Sequence, residues 1–83
     1  NFLSRKKREI QSRLLPIEDA ISKLEKKKSE NESLLCDPSI LTDSEKVQTL
    51  MKELKEINEE LAVFMQKWET IAEEMDQLNT KEE

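Results

Sequence analysis

Ten apolar residues recur at alternating steps of three and four between Val47 and Leu78: Val47, Leu50, Leu54, Ile57, Leu61, Phe64, Trp68, Ile71, Met75 and Leu78. A period of about 3.5 residues sets all ten along one narrow seam of an α-helix. A strand would need a period of two, and no such alternation is present. A helix this long with a single apolar stripe needs a partner, because apolar surface left in water is unfavourable.

The first part of the chain carries a matching seam. Leu3, Ile10, Leu14, Ile17, Ile21, Leu24 and Leu35 share one heptad frame, and Lys7, Lys28 and Asn31 fill its remaining positions. The pattern predicts a helix over residues 4 to 36 with Ser4 as N-cap. Pro16 lies inside it, removes one backbone hydrogen bond and costs about 3 kcal/mol. The frame passes through Pro16 unchanged, so a bend with both halves on one seam is expected. The alternative is two helices meeting at Leu15.

Residues 37 to 42 form the expected turn. Pro38 pushes Asp37 away from helix and ends the first arm near Cys36. Asp37 is also placed to cap one short helical turn. Thr42 and Glu45 have the spacing of a capping box. The second helix is then expected from about Asp43 to Asn79, with 80–83 fraying. The fold expected is all-α: a two-helix antiparallel coiled-coil hairpin with a bend at Pro16, one domain over residues 1–83. A turn centred near residue 39 makes facing residue numbers sum to about 78. That register sets Lys27 near Glu53, Lys6 near Glu74 and Arg13 near Lys67. Trp68 is read as core, filling the gap that Pro16 opens.

With 83 residues the chain is too short for a large globular core. Its 40% of charged residues, combined with heptad spacing, belongs to long helices and coiled coils. Disorder is the alternative for so polar a chain, and the regular seam argues against it. The chain opens at Asn1 rather than Met and is read as a piece of something larger. No run of about 18 apolar residues could span a membrane, and no signal peptide pattern is present. Cys36 stands alone, which fits a reducing, cytoplasmic setting.

Catalysis has few materials here. The sequence holds no His, one Cys and no Gly. Neither a Cys/His metal cluster, nor a nucleophile–base pair, nor a Gly-rich phosphate loop can be built from it. The carboxylates fall on solvated helix faces, with no pocket to shift them. The region is read as non-catalytic, with no cofactor or metal of its own, and Cys36 as a small apolar residue closing the hairpin end.

Charge is distributed unevenly. Residues 1–36 hold nine basic and six acidic groups, whereas residues 37–83 hold five and thirteen. The net charge of −5 thus hides a basic arm against an acidic one. A basic stripe is the electrostatic footprint of nucleic-acid binding. Arg5, Lys6, Arg8, Arg13, Lys23, Lys26 and Lys27 are the candidate phosphate contacts. The alternative is that these cations complement the acidic arm within the hairpin.

Taken in order, several segments resemble the C-terminal coiled-coil domain of ABC-F proteins, soluble ATPases with two fused ATP-binding cassettes and no membrane domain. Leu3-Ser4-Arg5-Lys6-Lys7-Arg8-Glu9 resembles the basic lead-in after the second cassette. Leu14-Leu15-Pro16-Ile17-Glu18 and Ile21-Ser22-Lys23-Leu24-Glu25 resemble the Leu-Pro bend and the repeats that follow it. Leu34 through Leu41, with Asp37-Pro38, resembles the tip, and Trp68-Glu69 the Trp-Glu near the end of the second helix. The family's tip usually carries an aromatic where this chain has Ile40 or Leu41, and the spacing from Ser4 to Pro16 departs from some members by about a residue. The resemblance implies a bacterial cytoplasmic protein acting on ribosomes, with this domain contributing contacts to DNA or ribosomal RNA. ATP and Mg would bind in cassettes outside this sequence. The rival reading is a structural or protein-interaction coiled coil, self-association included. A third is an RNA-binding arm such as that of a seryl-tRNA synthetase.

Overall fold

In a computed structural model, which describes residues 1–82, the chain is all-α. Helix α1 runs over Phe2–Leu34, α2 over Pro38–Leu41 and α3 over Ser44–Glu82. No strand is present among the described residues.

Helix α1 starts two residues before the expected cap. The Asn1 side chain accepts from the Ser4 N–H at 3.0 Å, so Asn1 caps and Ser4 lies in the first turn. Pro16 sits inside α1, and helix continues on both sides of it. This replaces the alternative of two helices meeting at Leu15. Leu14 and Ile17, flanking the proline, are both half-buried on the seam. Their packing holds the segment helical across the missing N–H, since tertiary contacts supply most helix stability.

The turn reverses the chain without glycine. No described residue has a positive φ. Cys36 N–H and Asp37 N–H donate to the carbonyls of Ser33 and Leu34 at 3.1 Å each, closing α1 with tight three-residue turns. Asp37 is extended, at φ −80° and ψ 120°, as the following proline requires. Its carboxylate accepts from both the N–H and the hydroxyl of Ser39, at 2.9 and 2.8 Å, and so caps α2. These bonds, the backbone one first, hold the Asp37 carboxyl below its ordinary value.

The capping box expected at Thr42 and Glu45 is not formed. The Thr42 hydroxyl instead donates to the Ser39 carbonyl at 3.0 Å, and Asp43 caps α3 by accepting from the Lys46 N–H at 3.2 Å. At the far end α3 stays helical through Glu82, beyond the expected end near Asn79. Of the tail expected to fray, 80–82 are assigned to α3, and Glu83 lies outside the described residues.

Helices α1 and α3 pack along their length, and α2 packs on α3. Arg13 Nη1 meets Glu74 Oε2 at 2.8 Å, and Asn31 Nδ2 meets Glu53 Oε2 at 3.0 Å. The contacts therefore run in opposite sequence directions on the two helices. The paired numbers sum to 87 and 84, not 78, which corrects the register. Two physical facts explain the shift. Helix α2 lies against α3, so the loop is not a symmetric turn about residue 39. And a seam that repeats every seven residues keeps its apolar layers when one helix slides by a heptad. The 61 Å long axis of the molecule is close to the length of α3 alone, roughly 58 Å at 1.5 Å per residue.

Every position of the first seam, from Leu3 in α1 to Leu35 just past its end, is buried or half-buried, including Lys7 and Lys28. Nine of the ten α3 positions are too, with Ile57, Leu61 and Ile71 buried alongside Ile10 of α1. The fully buried apolar side chains contribute about 1.5–3 kcal/mol each, and the half-buried ones less. The exception is Trp68, which keeps 37% of its surface in solvent and is not the filled core residue expected. Asn31 is buried and polar, and its bond to Glu53 satisfies it there.

Candidate nucleic-acid interface

The basic residues of α1 divide by their place around the helix. Arg5, Arg8, Lys23 and Lys26 lie off the seam, and all four are exposed. They form two clusters eighteen residues apart, about 27 Å along the helix. Lys6, Arg13 and Lys27 share one heptad position on the flank next to α3 and are exposed as well.

Their partners differ from those the symmetric register implied. Lys6 approaches Glu9 of its own helix at 3.9 Å, and Lys23 approaches Asp19 at 3.0 Å. Pairs this exposed are worth a few tenths of a kcal/mol and leave both cations accessible. Arg13 alone among the seven candidates bridges to α3, through Glu74, and its side chain still keeps about half of its surface in solvent (49%). Glu74 thus serves Arg13 rather than Lys6, and Glu53 serves Asn31 rather than Lys27. Arg5, Arg8, Lys26 and Lys27 have no ion pair among the described residues. The repulsion expected between Arg13 and Lys67 is absent, and Lys67 instead lies 5.4 Å from the centre of the Phe64 ring.

Near the free end of the hairpin the charge is reinforced from both helices. Lys6 and Arg13 of α1 line the same groove as Lys81 of α3, with Glu74 between them. Lys81 lay outside the sequence-based set, which was drawn from the basic first arm alone. The acidic residues Glu56, Glu59 and Glu60 gather on α3 around a separate shallow groove. Cations thus gather on the outer face of α1 and carboxylates on α3.

Among the described residues no group of three or more His, Cys, Asp or Glu side chains is placed to hold a metal. Cys36 is exposed in the turn, not packed against the hairpin end as the sequence suggested. No described helix is long and apolar enough to cross a membrane.

Residues 3–73 match the family described as ABC transporter C-terminal domain. The chain is 36% identical over 59 residues to YdiF of Bacillus subtilis (strain 168), whose assigned name is that of an ATP-binding protein. That match covers 71% of this chain and 9% of YdiF. No solved structure matches the chain. The matched span runs from the basic lead-in through the Pro16 segment and the tip to the Trp68-Glu69 pair, and on these grounds the chain belongs to the ABC transporter C-terminal domain family, the C-terminal domain of ABC-F-like ATP-binding proteins.

Proposed function

We propose that residues 1–83 form one antiparallel coiled-coil hairpin, bent at Pro16, that serves as an accessory nucleic-acid-binding arm of an ABC-F ATP-binding protein. In this reading ATP and Mg bind in cassettes outside the sequence, where hydrolysis takes place. The parent acts in the cytoplasm at the ribosome, and the arm contacts DNA or ribosomal RNA through Arg5, Lys6, Arg8, Arg13, Lys23, Lys26 and Lys27. The observation that carries the reading is the accessibility of α1's cations. Among the described residues, six of the seven candidates make no bridge to the acidic helix. The rival view, that these charges serve to hold the hairpin together, accounts only for Arg13.

Such a surface positions a phosphate backbone more than it reads bases, because Phe2, at the helix end beside Arg5, is the one exposed aromatic of α1 and the other cations have none next to them. Binding should therefore be weak and insensitive to sequence. About four phosphate contacts give a log–log dependence of affinity on salt with slope near −3 to −4 on duplex DNA. Titrating the 83-residue chain with duplex DNA and with structured RNA across salt concentrations measures that slope. Absence of binding at low salt would return the domain to the structural class.

A further inference from the structure

The edge of the hairpin away from Lys6, Arg13 and Lys27 carries a different surface. Between α1 and α3 lies an open groove of about 380 Å³. Its floor is apolar, built from Ile21, Met65 and Trp68, and its rim is acidic, built from Glu18, Glu25 and Glu69. Met65 and Trp68 keep 43% and 37% of their surface in solvent. The three rim carboxylates have no ion pair or hydrogen bond among the described residues. Trp68 occupies a seam position yet keeps 37% of its surface in solvent, so part of its ring is open to the groove.

We propose that this groove docks a basic amphipathic helix of a protein partner. Apolar side chains of that helix would sit on Met65 and Trp68, and flanking Lys or Arg would meet Glu18, Glu25 and Glu69. The chemistry selects this class. Trp is the residue most often dominant in buried protein contacts, and its ring also attracts a cation. Methionine adapts its shape to varied apolar partners. The acidic rim repels phosphate, which excludes nucleic acid and anionic lipid from this edge. The hairpin then has two faces with opposite preferences, polyanion on the outside of α1 and a cationic helix on the groove.

Trp68 is the sole tryptophan and reports the groove directly. The probes are a designed helical peptide of Leu and Lys/Arg and its Leu/Glu counterpart, added to the 83-residue chain. The expected result is a saturable blue shift of Trp68 emission with the basic peptide, weakened by salt, and none with the acidic one. Replacing Glu18, Glu25 and Glu69 with Gln should weaken binding about tenfold while leaving helicity and DNA affinity unlowered. No shift with the basic peptide, or a shift shared equally by both peptides, would overturn the proposal. A shift produced by raising the protein concentration alone, with dimers in sedimentation, would overturn it in favour of a second copy. Since DNA binding is read on the unsubstituted outer face of α1, its loss and the loss of peptide binding are separable.

Discussion

At the scale of single residues the seam carries the stability and the polar exceptions carry the geometry. Leu61 keeps only 6% of its surface exposed. Leu61→Ala should therefore cost about 2–5 kcal/mol in chemical denaturation. Glu59, on the exposed face of α3, should shift stability by less than about 0.5 kcal/mol when changed to Ala. Equal costs would mean that the frame is misassigned. The frame itself was readable because burial follows a seven-residue repeat that the apolar residues announce. The partial exposure of Trp68 was not readable, because a heptad position says which way a side chain points, not how far the partner helix reaches over it. Glu53 shows the same limit: Asn31 was recognisable as the polar seam residue, but its partner depends on the register.

At the scale of elements the turn is decided by capping. Asp37 and Pro38 specify α2 locally, and that part was legible from two adjacent residues. The start of α3 was not, since Thr42 and Asp43 both have N-cap chemistry and the Ser39 carbonyl takes the Thr42 hydroxyl. The Asp37 cap has a pH signature. Its carboxyl in the folded state lies below its ordinary value. The folded form is thus favoured by ionised Asp37, and its contribution is present above the ordinary carboxyl range and lost as pH falls through the lowered folded value. Wild type should lose more thermal stability than Asp37→Asn between neutral pH and the acid side of that range. An identical loss in the two proteins would show that the cap charge does not matter.

At the scale of the whole molecule, the ABC transporter C-terminal domain family and the two packed helices were legible, but the register was not. Sliding α3 by one heptad leaves the apolar seam in step, and the exposed charges that seemed to choose a register are worth too little to do so. Spin labels decide it. With facing numbers near 87, Gln11 should lie closer to Gln77 than to Gln66, the second pair being offset by about 15 Å along the axis. The symmetric register predicts the reverse order. The proposed function turns on which helix would face the polyanion. The most direct measurement compares duplex DNA affinity for two charge-matched variants: Arg5, Arg8, Lys23 and Lys26 changed to Gln on α1, and Lys46, Lys52, Lys55 and Lys67 changed to Gln on α3. The α1 variant should lose most of its affinity and flatten its salt slope toward zero with helicity intact, whereas the α3 variant should keep the wild-type slope. Equal losses in the two variants, or binding that survives the α1 substitutions, would contradict the account.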